Sequence, residues 1–267
     1  MRGMTSQLSA PRIAAQLRAS ARQVDIRTVA STGSTNADLL AGVGELARPT
    51  ALVASSQTAG RGRAGRSWQS APDTSLTFSL AWNFSRPLHQ LLGLPLAVGV
   101  GIVEALAAFG LTLQLKWPND ILRDGKKLGG VLIETAMPRN PQSTGSWAVI
   151  GVGLNLLPPP GLADEGAPVA AMPELAGVER ELLLAELLGG LADTLQRFEQ
   201  YGFAVFCERW NRLHAYAGQP VALLDHGRVV QQGQAQGIDA SGCLLLQTAT
   251  GLVPVMAGDV SLRLREA

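Results

Sequence analysis

The clearest hydrophobic pattern along the chain is a strict alternation in residues 76–82. Leu76, Phe78, Leu80 and Trp82 occupy every second position, with smaller side chains between them. A period of two is the spacing of side chains on one face of a β-strand. We therefore expect a half-buried strand here, with its apolar face against the core.

Shorter apolar runs predict further strands on both sides of this one. An Asp124-Gly125 pair between two such runs is typical of a tight hairpin turn. It indicates that the strands at 121–122 and 131–134 are antiparallel neighbours. The other predicted strands cover residues 25–29, 50–55, 111–116 and 147–152.

Helical signals are interleaved with these strands. Thr35 and Asp38 form a capping-box-like pair, which predicts a short helix that ends before Gly42. Pro95 fits the first turn of a second helix, and Gly110 marks its end. Antiparallel hairpins with helices inserted between them favour an α+β fold over a doubly wound parallel sheet. Amphipathic spacing predicts two more helices, at residues 181–201 and 203–213.

The spacing of apolar residues and glycines changes after Tyr216. Five short apolar runs separated by glycines fill about 50 residues, which is typical of a small β-barrel. Proline and glycine crowd residues 158–168, which indicates a mobile loop inside the main domain. We therefore predict three regions: an N-terminal leader segment at 1–23, a main domain at 24–215 and a barrel domain at 216–267.

Composition narrows the functional classes. Hydrophobic residues make up 46% of the chain, and 22 basic residues face 21 acidic ones, for a net charge of +1. This balance argues against a disordered chain and against a general electrostatic surface for nucleic acid. The sequence has no uninterrupted apolar run of about 18 residues, the length that would predict a transmembrane helix.

Cysteine and histidine positions give no sign of a metal site. Cys207 and Cys243 lack CxxC spacing, and the histidines lack ligand spacing. We interpret the cysteines as small buried hydrophobes in a reducing compartment, and we expect no protein-built metal site. Residues 1–24 carry four arginines and no acidic residue, the composition of either an organellar transit peptide or an amphipathic leader helix. We expect the leader helix, and a cytoplasmic protein.

The most informative motif is Gly60-Arg61-Gly62-Arg63-Ala64-Gly65-Arg66-Ser67-Trp68. Its glycines let the backbone wrap closely around a ligand, and its guanidinium groups can pair with phosphate or carboxylate oxygens. The Gly-Lys-Ser/Thr ending of a P-loop is absent. The alternative is an arginine-glycine surface loop or a weak RNA-binding tract, although such tracts usually repeat and this one does not.

A second cluster of candidate residues surrounds the predicted hairpin. Lys116-Trp117-Pro118-Asn119-Asp120 places a lysine, an amide and a carboxylate close together, where they can surround a reacting centre. Lys127 precedes Leu128-Gly129-Gly130, whose glycines permit close approach to the backbone. The alternatives are an ordinary loop around a partly buried tryptophan and a solvated hairpin lysine.

Two weaker motifs complete the set. Ser34-Thr35-Asn36 lies at a predicted helix start, where these residue types also serve as caps. Gly151-Val152-Gly153-Leu154-Asn155 ends a predicted strand, and its glycines either admit a flat ring or form a bulge. Each motif alone is compatible with a purely structural role.

Taken in order, and together with Gln57, these motifs closely resemble the biotin protein ligases, also called biotin–acetyl-CoA-carboxylase ligases. The resemblance covers roughly residues 25–265, and the arginine-glycine motif is highly specific to that family. It implies an α+β catalytic domain with a mixed, largely antiparallel sheet, as in lipoate ligases and class II tRNA synthetases, and a small SH3-like β-barrel after it. In bifunctional members a winged helix-turn-helix precedes the Ser-Thr-Asn element. Only 33 residues precede it here, so the chain resembles the monofunctional class.

The resemblance also implies a role for each matching residue. Biotin would be bound by Ser34, Thr35, Asn36, Gln57, Gly60, Arg61, Gly62, Arg63, Lys127 and Gly130. ATP or the adenylate would be bound by Arg63, Arg66, Trp68, Lys116, Asn119, Lys127 and Asn155. Lys127, Arg63 and Asp120 would be catalytic, with Asp120 orienting the incoming lysine or taking its proton.

The implied activity is ATP-dependent attachment of biotin to a lysine of a biotin carboxyl carrier protein, through biotinyl-5′-AMP. The implied ligands are biotin, ATP and substrate-bound Mg²⁺, with no nucleic acid or membrane partner, in a monomer or a homodimer. Two other interpretations stay open: a lipoate or octanoate ligase with the same fold, and a biotin-responsive regulator or binding module without catalysis. The arginine-glycine motif favours biotin, and the near-neutral charge argues against DNA binding.

Overall fold

A computed structural model describes residues 8–137, 145–158 and 169–265. Most of the proline-rich segment predicted as a loop, residues 159–168, lies outside the described residues, as do residues 1–7 of the leader segment. The described helices are α1 (Ala10–Ala15), α2 (Thr35–Gly42), α3 (Leu94–Ala107), α4 (Arg180–Tyr201) and α5 (Ala204–Leu213). The strands of a larger sheet are β1 (Asp25–Thr32), β2 (Thr50–Gln57), β3 (Ser75–Phe84), β4 (Gln114–Lys116), β5 (Asp120–Arg123), β6 (Lys126–Ala136) and β7 (Ser146–Asn155).

The larger sheet has seven strands in the order β1-β2-β3-β7-β6-β5-β4. The β1–β2 pair is parallel, and the remaining neighbouring pairs are antiparallel. A parallel pair needs a crossover connection, which α2 supplies between β1 and β2. The α+β prediction, with a mixed and largely antiparallel sheet, is confirmed. The hairpin predicted at Asp124-Gly125 joins β5 to β6.

The two faces of the larger sheet are buried against different partners. Leu76, Phe78 and Leu80 of β3 lie in a large core that also contains α3 and α4. The opposite face of β3 packs Ala81 into a smaller cluster with Leu39 of α2. The expected alternation is therefore present, but the expectation of a half-buried strand was wrong. Both faces of β3 are covered, because the strand lies between β2 and β7 with helices on each side.

The helices α3 and α4 form the layer behind the sheet. Gly101 on α3 allows them to approach closely, because a Cβ atom there would overlap the Thr194 side chain of α4. The N-terminal segment packs onto the same layer. Ile13 of α1 is fully buried, and Arg12 lies 3.6 Å from Glu181 of α4. The described part of the leader segment thus belongs to the core of the domain.

The start of α2 differs from the prediction. The N-cap is Ser34, whose Oγ accepts a hydrogen bond from the Ala37 amide at 3.4 Å. Thr35 is the first helical residue, and its hydroxyl instead contacts Gln57. Asp38 accepts a hydrogen bond from Thr32 rather than closing a capping box. The cap shifts by one residue because the Thr35 side chain points into the sheet, where it joins a buried polar network.

The C-terminal part of the chain forms a second sheet, with strands β8 (Pro220–Asp225), β9 (Arg228–Ile238), β10 (Leu244–Thr248), β11 (Gly251–Val255) and β12 (Val260–Leu264). These five strands are antiparallel, in the order β11-β10-β9-β8-β12. Hydrogen bonds connect the larger sheet and its loops to the segments around the smaller sheet. The Ala215 amide donates to the Leu115 carbonyl at 2.8 Å, and Trp117 Nε1 donates to the Gly242 carbonyl at 3.2 Å. The domain boundary after residue 215 stays a prediction.

Within the described ranges, no helix is both long enough and apolar enough to cross a membrane. Cys207 and Cys243 are free thiols, and both are half-buried rather than buried. Burial raises the pKa of each thiol. Because only the thiolate is a good nucleophile, these cysteines are suited to packing rather than to chemistry.

Candidate active site

One cleft on the larger sheet collects most of the predicted site residues. Its floor is formed by β3, β6 and β7, and the start of α2 closes one end. The loop between β2 and β3, residues 58–74, covers it and is called the roof loop below. The free volume of the cleft is about 120 Å³, below the range of about 300–1,000 Å³ that is typical of small-molecule sites. A neighbouring cavity of about 500 Å³ shares Arg63, Asn119, Val131 and Leu132 with the cleft.

A chain of buried polar side chains lines the α2 end of the cleft. Gln57 Oε1 accepts hydrogen bonds from the Thr35 amide at 2.8 Å and from Thr35 Oγ1 at 3.0 Å. Ser79 Oγ lies 2.7 Å from Thr35 Oγ1 and donates to Asn36 Oδ1 at 2.6 Å. Asn36 Nδ2 donates to Glu134 Oε2 at 3.0 Å. Because these groups fix one another, the cleft presents an ordered array of donors and acceptors at this end.

The roof loop folds back on itself as a compact hairpin. The Gly62 amide donates to the Arg66 carbonyl at 2.7 Å, and the Trp68 amide donates to the Gly60 carbonyl at 2.9 Å. The Trp68 ring packs on Gly153 of β7, where a Cβ atom would overlap the ring. Gly153 therefore provides the flat surface on which the loop closes, and only a residue without a side chain fits there.

Two arginines connect the roof loop to the rest of the molecule. Arg61 Nη2 donates to Glu134 Oε1 at 2.8 Å, and Arg63 Nη1 donates to Asn119 Oδ1 at 3.2 Å. The second amino group of Arg63 donates to the carbonyl of Gly258, in the turn between β11 and β12. Burial and the neighbouring Arg66 lower the pKa of Arg63, which reflects how closely cations are gathered here.

At the opposite end of the cleft, Asp120 lies between two lysines. Its Oδ1 accepts a hydrogen bond from Lys127 Nζ at 2.6 Å, and its Oδ2 accepts one from Lys116 Nζ at 2.7 Å. Burial alone would raise the pKa of Asp120, but the ammonium groups of Lys127 and Lys116 outweigh it and lower this pKa to about 2. The carboxylate is therefore ionised at physiological pH, and it is a weak base.

Three of the predicted residues do not line the cleft. Gly60 lies within the roof loop, packed against the Trp68 carbonyl, which a Cβ atom would overlap. Asn155 is buried, and its amide donates to the Ala170 carbonyl at 3.1 Å. Lys116 is buried behind Asp120. The predicted residues that do line the cleft are Ser34, Thr35, Asn36, Gln57, Arg61, Gly62, Arg63, Arg66, Trp68, Asn119, Asp120, Lys127 and Gly130.

Two residues of the site were missed by sequence reasoning. Ser79 and Glu134 connect the polar chain, yet they lie 43 and 98 residues from their partner Asn36 in the sequence. Ser79 had a signal, because it occupies the polar face of the alternating strand β3. Glu134 stood at the end of a predicted strand with nothing to mark its partners.

Two buried polar atoms in residues that line the cleft have no hydrogen-bond partner among the described residues. They are Trp68 Nε1 and Thr77 Oγ1. Buried polar groups are nearly always paired, so unpaired ones in a cleft indicate positions where a ligand supplies the partner.

The described residues include no group of three or more His, Cys, Asp or Glu side chains that could hold a metal ion. The Asp120 carboxylate in the cleft has both oxygens engaged by lysines. This donor set does not fit a metal held by the protein alone.

Two family models match the chain. The biotin/lipoate A/B protein ligase family matches residues 28–155, and the C-terminal domain of biotin protein ligases matches residues 216–263. Every residue that lines the cleft lies within the first match.

Individual relatives agree with these models. The chain is 34% identical over 239 residues to the bifunctional ligase/repressor BirA of Escherichia coli, covering 87% of this chain and 72% of that protein. It is 33% identical over 246 residues to the biotin–[acetyl-CoA-carboxylase] ligase of Mycobacterium tuberculosis, covering 90% and 88%. A solved biotin protein ligase from Aquifex aeolicus, in complex with biotin and ATP, superposes with a TM-score of 0.74 at 30% identity, covering 90% of this chain and 99% of that one. The chain therefore belongs to the biotin protein ligases of the biotin/lipoate A/B protein ligase family.

Proposed function

We propose that this chain is an ATP-dependent biotin protein ligase and that both steps of its reaction take place in the cleft. The observation that carries the proposal is the joining of two environments in one cleft. A fixed array of neutral donors and acceptors lies at one end, and a group of cations lies at the other. The first suits the ureido ring of biotin, and the second suits a carboxylate next to a phosphate.

In the first step, a carboxylate oxygen of biotin attacks the α-phosphorus of ATP. A new P–O bond forms, the bond to the β-phosphate breaks, and pyrophosphate leaves with the electron pair. The main obstacle is repulsion between two anions. Cations already fixed in a low-dielectric cleft offset this repulsion without reorganising during the reaction. We assign this role to Lys127, Arg63 and Arg66, which line the cleft together.

In the second step, the neutral amine of an acceptor lysine attacks the acyl carbonyl of biotinyl-5′-AMP. The C–N bond forms, the C–O bond to the phosphate breaks, AMP leaves with the electron pair, and the amine releases a proton to solvent. A carboxyl group with a pKa of about 2 is too weak a base to take that proton efficiently. Asp120 therefore orients the acceptor lysine.

Recognition of biotin is assigned to the polar chain. Ser34, Thr35, Asn36 and Gln57 present amide and hydroxyl groups that match the cyclic urea, which has two N–H donors and one carbonyl acceptor. A site of this kind rejects ligands that lack those polar groups, because its own buried groups would be left unpaired. Lipoate has no ureido ring, so this end of the cleft discriminates against it.

The roof loop protects the intermediate. A mixed anhydride is readily hydrolysed, so the cleft must exclude water between the two steps. Arg61, Arg63 and Trp68 hold the roof loop down through contacts on both sides of the cleft. Opening of the loop then admits substrates and releases AMP.

The remaining parts of the proposal concern partners and location. The acceptor is a lysine of a biotin carboxyl carrier protein or domain, and the reaction takes place in the cytoplasm. Mg²⁺ enters with ATP and is held by the phosphates, because the described residues do not form a site for it.

Biotin-dependent exchange of labelled pyrophosphate into ATP tests this function. We expect exchange with biotin and little or none with lipoate or octanoate. Exchange with lipoate alone would identify a lipoate ligase of the same fold. No exchange with any acid, together with biotin binding, would identify a binding module and overturn the proposal.

A further inference from the structure

Lys116 occupies an unusual place for a lysine. It pairs directly with Asp120 across the β4–β5 hairpin, and its side chain is only 8% exposed. Lysine is rarely buried without a function or a partner, because removing an ammonium group from water is costly. Here the partner is the carboxylate that also holds Lys127, whose own side chain is 40% exposed in the cleft.

The surroundings of Lys116 make its charge depend on Asp120. Burial lowers the pKa of Lys116, and the Asp120 carboxylate opposes that effect. Arg263 on β12 and Lys127 are like charges that lower the pKa further. Two further titratable groups lie nearby. The charges of Arg263 and Asp120 influence the pKa of Tyr216. His214 forms an isolated β-bridge with Leu115, the residue before Lys116.

We infer that Lys116 is a positioning residue, which acts through Asp120 as the permanent counter-ion that leaves Lys127 free to exchange partners. The inference rests on the proposed function, because it explains how Lys127 reaches an anionic substrate. With both lysines present, Asp120 remains neutralised when Lys127 Nζ moves to a carboxylate or phosphate. Asp120 Oδ1 then faces the cleft as an open acceptor, the place where an N–H group of the acceptor lysine's amine can bind.

Without Lys116, the same movement would leave a buried carboxylate with no counter-ion. An unpaired buried charge is strongly unfavourable, so Lys127 would remain on Asp120. The group of three would also lose its net positive charge and attract anions less. Lys116 itself does not line the cleft, so a direct bond to the substrate does not account for its presence.

A double-mutant cycle tests this inference through the rate of biotin-dependent pyrophosphate exchange. Lys116→Met keeps the length and packing of the buried side chain but removes its charge, and it should slow exchange by about 10-fold or more. Lys116→Arg should restore most of the rate. In an Asp120→Asn background, Lys116→Met should slow exchange by less than about 2-fold, because the effects of mutating residues that act through one another are not additive. The matched control is Lys126→Met, an exposed lysine in the neighbouring hairpin.

The pH profile provides a second readout. Exchange by the wild type should fall on the alkaline side as Lys116 loses its proton, at a pH below the ordinary lysine pKa of 10.5. Lys116→Arg should move that limb to higher pH, because a guanidinium stays protonated. A merely structural role for Lys116 would not move this limb.

The inference is overturned if Lys116→Met slows exchange by the same factor in the Asp120→Asn background as in the wild type. It is also overturned if Lys116→Arg leaves the alkaline limb of the pH profile unchanged. A wild type without exchange would instead contradict the proposed function. In that event, acetylation of Lys127 by acetic anhydride still tests the pairing. Modification of Lys127 should be slower in Lys116→Met, and an equal rate would refute the inference.

Discussion

Glu134 is the residue that ties the roof loop to the polar end of the cleft. One carboxylate oxygen accepts from Arg61 and the other accepts from Asn36. The position of the roof loop and the order of the polar end of the cleft are thereby linked through one side chain. Its partners lie far away in the sequence, so the motifs alone gave no reason to select it.

Replacement of Glu134 by glutamine tests this link. Glutamine keeps the shape but weakens the bond to Arg61, a loss of about 1 kcal/mol for a charge-assisted hydrogen bond. We expect preformed biotinyl-5′-AMP to dissociate about fivefold faster, measured by a chase with unlabelled biotin and ATP. Glu104→Gln, which removes the exposed ion pair with Arg209, is the control and should leave the off-rate unchanged. An unaltered off-rate in Glu134→Gln would argue against the link.

At the residue scale, we expect the largest effect on adenylate formation from replacing Lys127. It is a half-exposed cation in the cleft, 2.6 Å from Asp120. Lys127→Ala should slow formation of the adenylate by about 100-fold or more, the effect of removing one preorganised electrostatic group. Pyrophosphate release in a single turnover measures this step, and circular dichroism checks that the fold is retained. Release at the wild-type rate would remove Lys127 from the mechanism.

At the scale of elements, the end of α5 contains a buried histidine. His214 is 5% exposed, neither ring nitrogen has a hydrogen-bond partner among the described residues, and its ring lies 4.7 Å from that of Trp210. Burial lowers the pKa of His214 to about 4. The unfolded chain therefore binds a proton near pH 6.5, whereas the folded chain does not until the pH approaches 4.

The free energy of unfolding should reflect this difference. The contribution of His214 is fully present above pH 6.5 and is lost as the pH falls towards 4, by about 3 kcal/mol in total. Urea unfolding of the wild type and of His214→Phe measures it. The difference between the two proteins should grow in favour of the variant as the pH falls from 7 to 4.5. A constant difference would show that the pKa of His214 is the same in the folded and the unfolded chain.

The roof loop is the element whose movement the mechanism requires. Arg61, Arg63 and Arg66 are trypsin sites within it. Biotin plus ATP should slow cleavage in the roof loop several-fold, because the loop orders over the bound ligands. Cleavage at Arg228, an exposed position in the smaller sheet, serves as the internal control. Equal cleavage of the roof loop with and without ligands would refute this ordering.

Most elements could be predicted because their signals are local. The β5–β6 hairpin follows from Asp124-Gly125, which adopts the positive φ angles that such a turn requires. The true cap of α2 could not be predicted, because Ser34 and Thr35 are both good caps. Their choice depends on Gln57 and Ser79, which belong to other strands. The burial of the polar face of β3 was missed for the same reason.

At the scale of the whole molecule, the motifs predicted which residues lie near one another, whereas the structure shows which of them line the cleft and which are buried behind it. Lys116 and Lys127 were both expected from the sequence to contact ATP or the adenylate. The register of β4, β5 and β6 separates them, with one behind Asp120 and the other in front. A five-residue motif cannot encode that difference, because it depends on which face of the hairpin the core covers.

Loops of the smaller sheet contact residues in and beside the cleft. Arg63 of the roof loop reaches the Gly258 carbonyl, and Trp117 reaches Gly242. Loop closure is thus coupled to the placement of the second sheet. The sequence distinguished the two parts by the spacing of their apolar residues and glycines, but it gave no sign that Arg63 would contact both.

The central claim is that one cleft makes biotinyl-5′-AMP and transfers biotin to a lysine. The most direct measurement is a single-turnover reaction of the purified chain with biotin, MgATP and the unmodified biotin carboxyl carrier domain of an acetyl-CoA carboxylase. Mass spectrometry of the carrier should reveal one biotin on one lysine, with one AMP and one pyrophosphate formed per transfer, and the adenylate should accumulate when the carrier is left out. A carrier that stays unmodified while the chain binds biotin and ATP, or that is modified by lipoate in preference to biotin, would contradict the claim.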